Sequence, residues 1–251
     1  MLALITGASS GIGRDMAYYL ASLNYDLILV ARRKDRLEEI KDKVKVNVEI
    51  IPLDLGVEAN CFKLYEKTKD KNVDLVINNA GFGLFGNTFE TDLNRELEMI
   101  NLNIKSVHII TKLFLVDFYK RDYGRILNVA SSAGFLAGPR LNTYYATKNY
   151  VLKFTMGIYE ELKMSKSNVH VSCLCPGPVR TEFNKVAGGK FNIDSNQSKR
   201  VAKYAIDNTL KNKLIIVPGF GVKVGLFFNR LIPWKLSLRI IYGIQERKNR
   251  N

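Results

Sequence analysis

The stretch that most constrains this chain lies almost at its N-terminus, Thr6-Gly7-Ala8-Ser9-Ser10-Gly11-Ile12-Gly13. An apolar run, Leu2-Ala3-Leu4-Ile5, precedes it, too short for a helix and right for a buried strand. Behind it, Arg14-Asp15-Met16-Ala17-Tyr18-Tyr19-Leu20 repeats apolar residues at helical spacing. Strand, glycine turn and helix N-terminus together make an anion site. Glycines let the backbone approach a phosphate, and free N–H groups with the helix dipole favour its charge. A lone Gly-rich turn is common punctuation, but these flanks are the context that a pyrophosphate site requires.

The same alternation continues along the chain. Strands are expected at 26–30, 48–51, 73–77, 125–129, 169–174 and 214–217, with helices between them, among them 93–119 and 143–162. Parallel strands need crossover connections, so the pattern predicts an α/β fold, a parallel sheet of about seven strands with helices on both faces. At 251 residues the chain fits one large domain, 1–251, with about 182–251 set apart as substrate lid and amphipathic C-terminal segment. Gly7, Arg32, Asp54, Asn79, Ser131 and Pro176 each fall just beyond the C-terminal end of an expected strand. In open α/β sheets the ligand crevice runs along that edge.

Other classes are not expected from the sequence. With strand one expected within two residues of the start, no targeting peptide is expected, and no run of eighteen uncharged apolar residues suggests a membrane span. The three cysteines, Cys61, Cys173 and Cys175, suit a reducing cytoplasm better than a disulfide framework. No Cys or His cluster offers a metal site, and His108 and His170 stand alone. The formal charge is +14, yet no stacking-aromatic motif or recognition helix supports nucleic-acid binding.

Tyr144 and Lys148 are four apart on an expected helix and so share a face. A free phenol titrates near ~10, and a nearby ammonium lowers that value, making the tyrosine usable in acid–base chemistry. Tyr145 points about a quarter-turn away. Ser131 adds a hydroxyl at the crevice edge.

On these residues the chain resembles the short-chain dehydrogenase/reductase family, single-domain Rossmann-like nicotinamide oxidoreductases, over roughly residues 2–181. Residues 6–13 resemble its T-G-x-x-x-G-x-G loop, and Asn78-Asn79-Ala80-Gly81 its N-N-A-G segment. Tyr144 and Lys148 match Y-x-x-x-K, with Ser131 thirteen residues upstream, and Pro176, Gly177 and Thr181 match the segment over the nicotinamide. Asn101 is matched to the asparagine that completes the family's tetrad, with Asn103 two residues on. The resemblance implies carbonyl reduction or alcohol oxidation. Tyr144 would exchange the proton, Ser131 polarise the carbonyl, Lys148 tune the tyrosine and bind ribose, and Asn101 anchor a water. It further implies cofactor contacts from Gly7, Ser9, Ser10, Gly11, Ile12, Gly13, Asp54, Leu55, Asn79, Ala80, Gly81, Pro176, Gly177, Val179 and Thr181, and a homodimer or homotetramer. A nucleotide-binding sensor or scaffold without turnover is the alternative, opposed by the intact Ser131, Tyr144 and Lys148.

NAD-specific sites place an acid at the end of strand two, on the ribose 2′-hydroxyl. Here that position is Ala31, followed by Arg32 and Arg33, whose guanidinium groups suit a 2′-phosphate, so NADP(H) is expected over NAD(H). The substrate is not legible beyond a greasy pocket hinted at by Phe183, Phe191 and the apolar C-terminal third. Residues 211–251 hold nine Lys/Arg and a single acid, Glu246. Pro233 is expected to divide two amphipathic helices there, which suit a lid, a subunit contact or peripheral attachment to a membrane.

Overall fold

In the computed structural model, residues 1–179 and 195–250 are described, and seven strands form one sheet in the order β3-β2-β1-β4-β5-β6-β7. These are β1 (Leu2–Thr6), β2 (Asp26–Ala31), β3 (Val48–Pro52), β4 (Leu75–Asn78), β5 (Gly124–Val129), β6 (Val169–Leu174) and β7 (Ile215–Ile216). Every pair is parallel, so β1 lies between β2 and β4, with Ile5 opposite both Leu29 and Ile77. Strand order reverses between β1 and β4, and that switch point is where a crevice must open.

The two faces of the strands are apolar in turn, as the period of two dictates. Ala3, Ile5, Leu27, Leu29 and Leu127 pack with Met16 and Leu20 of α1 (Gly11–Ser22), Leu37 of α2 (Lys34–Lys41) and Val201 and Ile206 of α7 (Ser195–Leu210). Leu4, Ile28, Val30, Val76 and Ile126 pack on the other side. They meet Leu64 of α3 (Glu58–Thr68), Phe114 and Phe118 of α5 (Ser106–Arg121) and Ile158 of α6 (Asn142–Met164). Each fully buried Leu, Ile or Phe contributes roughly 1.5–3 kcal/mol, so two such layers hold the sheet flat against its helices.

The helix expected at 93–119 is longer and not uniform. It begins as α4 (Leu93–Ile100), passes through a π-helical turn at Asn101–Lys105 and continues as α5. The span Leu93–Arg121 is long and apolar enough to cross a membrane by length and composition alone. Its face carrying Val107, Ile110, Phe114 and Phe118 is instead buried in the protein.

The C-terminal region forms α8 (Phe220–Asn229) and α9 (Trp234–Arg250), separated at Pro233 as expected.

Two glycines fix the approach of α1 to β4. Gly7 has φ +64°, and a Cβ there would lie 2.8 Å from Ala80 Cα. A Cβ on Gly13 would lie 2.5 Å from the Gly7 carbonyl oxygen and closer still to Asn79 Nδ2, whereas Gly157 on α6 faces nothing within 4 Å. Gly13→Ala is therefore expected to cost about 1–3 kcal/mol in urea unfolding, since the loops must part to admit the methyl. Gly157→Ala should be neutral or stabilise by up to ~1 kcal/mol through helix propensity. Equal effects of the two substitutions would contradict this packing.

Candidate active site

The first loop and the fourth strand are stitched together at the switch point. Thr6 Oγ1 accepts from the backbone N–H groups of Asn79 and Ala80 at 2.9 and 3.1 Å. Asn79 Nδ2 donates back to the carbonyl oxygens of Thr6 and Gly7, both at 3.1 Å. The N-cap of α1, Ser10, makes no side-chain capping bond, so the first N–H groups of that helix face the crevice.

A cavity of ≈ 1150 Å³ lies above the C-terminal strand ends. Gly7, Ser9, Ser10, Gly11 and Ile12 form one wall, Arg32, Arg33, Asp54 and Leu55 the far end, and Asn79, Ala80 and Gly81 the floor. Ser131, Tyr144, Lys148, Pro176, Gly177 and Val179 close the near end. Of the residues expected here, Gly13 does not line the cavity: it clears space for the Asn79 amide beneath it. Thr181, with Phe183 and Phe191, lies outside the described residues.

The crevice fits a dinucleotide on its own chemistry. Uncapped helix N–H groups and positive-φ glycines, Gly7 and Gly11, make a cradle for a pyrophosphate. At the end of β2, Arg33 Nη2 donates to Ser9 Oγ at 3.2 Å, and Arg32 Nη1 sits 3.8 Å from Asp54 Oδ2. Two guanidinium groups thus flank the place where an acidic residue would read a 2′-hydroxyl.

At the near end, a 3₁₀ turn (Ser132–Phe135) follows β5, and Ser131 caps it, accepting from Ala133 N–H at 3.1 Å. Asn149 Nδ2 on α6 donates to the carbonyls of Ala133 and Leu136, which locks the turn to the helix carrying Tyr144 and Lys148. Ser131 and Tyr144 are hydrogen-bonded through their side chains. Lys148 is buried, donates from Nζ to Val129 O at 2.9 Å, and lies 5.8 Å from the Tyr144 ring centroid.

Of the two asparagines, Asn101 and Asn103, the structure brings Asn103 next to Lys148. The π-helical turn inserts extra backbone into the helix, and this turns Asn103 inward in place of Asn101. Asn103 is fully buried and accepts from Phe82 N–H at 3.1 Å. It donates to Phe82 O at 2.9 Å and Thr147 Oγ1 at 3.1 Å. A Cβ on Gly81 would lie 2.9 Å from Asn103 Oδ1 and 3.4 Å from Lys148 Nζ, so both side chains crowd the same glycine. Asn101 is only partly buried, and neither asparagine lines the cavity. A spacing of 3.6 per turn carries no sign of such a bulge.

The electrostatics also differ from expectation. Tyr144 keeps part of its surface open to the cavity, yet burial pushes its phenol up to about 12, with the Ser131 hydrogen bond pulling the other way. Burial pulls Lys148 down to about 8, opposed by Cys173 and Cys175. Desolvation penalises the charged form of each group.

Several lining residues carried no sequence signal. Phe82, Phe85, Leu102 and Leu141 make an apolar wall beside Tyr144, edged by Arg95, Glu98, Tyr145 and Gln245. Tyr145 is no bystander, since its hydroxyl accepts from Gln245 Nε2 of α9 at 2.8 Å.

The comparisons with known proteins decide the family. The model of the short chain dehydrogenase family matches residues 1–190. The chain is a short-chain dehydrogenase/reductase. It is 32% identical over 213 residues to an uncharacterized oxidoreductase of Staphylococcus saprophyticus, covering 82% of this chain and 90% of that one. It is 32% identical over 212 residues to the human very-long-chain 3-oxoacyl-CoA reductase, covering 81% and 67%. A short-chain dehydrogenase from Sphingobium yanoikuyae in complex with NADPH superposes with a TM-score of 0.79 at 28% identity, covering 90% and 94%. This short-chain dehydrogenase/reductase is therefore an NAD(P)-dependent oxidoreductase.

The buried lysine makes stability depend on pH in a defined direction. An unfolded lysine titrates at 10.5 and Lys148 in the fold at about 8, so between these values the unfolded chain holds the extra proton. Stability rises with pH where the unfolded state binds more protons. Relative to Lys148→Met, the wild type should gain thermal stability as pH rises from about 8 towards 10.5. A difference in Tm that stays flat across that window would contradict the desolvated lysine.

Proposed function

We propose that this enzyme reduces the carbonyl of a lipophilic ketone or aldehyde, or oxidises the corresponding alcohol, with NADP(H) preferred over NAD(H). The meeting of Ser131, Tyr144 and Lys148 at one end of the dinucleotide crevice carries the reading. When bound, the nicotinamide supplies or accepts the hydride. The rest of the chemistry falls to the chain's own side chains.

Tyr144 holds its proton at neutral pH, the form needed to donate to a carbonyl oxygen. Ser131, hydrogen-bonded to the phenol, would hold that oxygen beside it. Lys148, with a proton readily lost near neutrality, would hold the cofactor's ribose and pass a proton back to the tyrosine. Asn103 fixes Phe82 and Thr147 next to the lysine, a positioning role. Arg32 and Arg33 would hold a 2′-phosphate, which an acid at Ala31 would repel.

The lipophilic substrate is supported by the apolar wall of Phe82, Phe85, Leu102 and Leu141, and by the likeness to a very-long-chain 3-oxoacyl-CoA reductase. A scaffold without turnover would have no use for a Ser131–Tyr144 hydrogen bond beside a buried Lys148.

Steady-state kinetics with carbonyl compounds of graded chain length test this reading. Tyr144→Phe should leave NADPH affinity in place and lower kcat by roughly 10²–10⁴-fold, the usual scale of a lost proton donor. Wild-type kcat/KM should favour NADPH over NADH, and Arg32→Ala should narrow that ratio. Unchanged turnover in Tyr144→Phe would overturn the mechanism, and a preference for NADH would overturn the cofactor assignment.

A further inference from the structure

The last two helices leave many large apolar side chains exposed. A helix lying on a core normally turns its apolar stripe inward. On α9 the stripe at four-residue spacing that is buried consists of Ser237, Ile241 and Gln245. Ser237 Oγ donates to Asn229 Oδ1 at 2.6 Å, and Gln245 reaches Tyr145, so this inner face is held mostly by polar bonds. On either side of that stripe Trp234, Leu236, Leu238, Ile240, Tyr242 and Ile244 are all exposed, Trp234 by 74%. On α8, Val222 and Leu226 pack inward, while Phe220, Phe227 and Phe228 are exposed by 82%, 60% and 60%. Leu231, in the link between the two helices, is exposed as well. Single exposed apolar residues are ordinary, but a run of this size on two successive helices marks an interaction surface.

Charge selects the partner. Between Phe220 and Gln245 the chain carries Lys223, Arg230, Lys235 and Arg239 and no acid. The one acid that follows, Glu246, is turned to Arg140, in a salt bridge that helps hold α9 on the domain. A second copy docked by the same patch about a two-fold axis would bring cation against cation with no carboxylate between them. An anionic lipid headgroup layer answers both features at once, taking apolar side chains into the acyl boundary and neutralising the cations beside them. An exposed Trp among cations is the composition of that interface.

We propose that α8 and α9 form a docking surface for an anionic phospholipid bilayer, bound peripherally and without a membrane span. This surface is distinct from the catalytic residues, so its existence does not depend on the reaction proposed above. Because α9 also supplies Gln245 to the cavity edge, docking sets the mouth of the pocket close to the lipid.

Vesicle sedimentation of the full-length protein tests the proposal, with phosphatidylcholine vesicles compared with vesicles that also contain phosphatidylserine. The wild type should sediment with the phosphatidylserine vesicles at low salt, far less with phosphatidylcholine alone, and progressively less as salt is raised. Phe227→Asp with Phe228→Asp should lower the affinity by about tenfold or more while leaving reduction of a water-soluble carbonyl unchanged. Lys235→Glu with Arg239→Glu should do the same through charge, again by roughly tenfold or more. Retained turnover in both variants shows that they are folded. No sedimentation of the wild type at low salt would overturn the proposal, as would sedimentation that persists in both variants. A concentration-dependent dimer that ignores vesicles and is broken by Phe227→Asp with Phe228→Asp would assign the surface to a second copy instead.

Discussion

The architecture depends on a reciprocal set of hydrogen bonds between the ends of β1 and β4. The Thr6 hydroxyl receives two backbone N–H groups from the β4 loop, and the Asn79 amide returns two bonds to the β1 loop. Loops emerging from neighbouring parallel strands have no ladder partners of their own, so such side chains must satisfy them. The bonds also set distance. They draw the loops together until only glycine fits at positions 7 and 13, and the crevice opens above the join rather than through it. Widening this join by a methyl would move the phosphate cradle and the floor of the pocket together.

From that floor the near end of the cavity is built by a second chain of contacts. Below it, Asn78 donates to Thr111 and Asn128, and Asn128 donates to Thr155, a buried polar network crossing from sheet to helices. Above it, Asn149 ties the turn after Ser131 to α6, while Asn103 ties the π-helical turn to Thr147 and to the backbone at Phe82. Ser131 comes from the turn after β5 and Tyr144 and Lys148 from α6, and amide side chains pin these elements to their neighbours. Buried hydrogen bonds of this kind hold the elements around the cavity in register. The same burial keeps the phenol protonated and makes the lysine's charge easy to lose.

How much of this can be read from the sequence follows from how local each cause is. Strands, crossovers and the crevice edge are legible because buried parallel strands are continuous apolar runs and the residues after them break the pattern. The glycine loop, Ser131, Tyr144 and Lys148 are legible because their spacing is fixed along one or two elements. Asn103 is hidden by the π-helical turn, an irregularity of the backbone that no side-chain period reports. Gly13 reads as a ligand contact and acts as a packing site, because its neighbour Asn79 is distant in sequence. The raised phenol and lowered ammonium depend on how much protein surrounds them, and spacing says nothing of that. Tyr145 and Gln245 meet only because α9 returns across the sheet's edge to the pocket. In the C-terminal segment the composition is plain, but which face points outward is decided by Ser237 and Gln245 finding polar partners inside.

These features converge on one claim, that the crevice between β1 and β4 holds a nicotinamide cofactor whose hydride goes to a carbonyl held at Tyr144. The most direct measurement follows the transferred atom. With NADPH dideuterated at C4 and a series of lipophilic ketones and aldehydes, mass spectrometry of the product alcohol should find deuterium on the former carbonyl carbon. Product that carries only solvent hydrogen there, or no alcohol from any member of the series, would contradict the account.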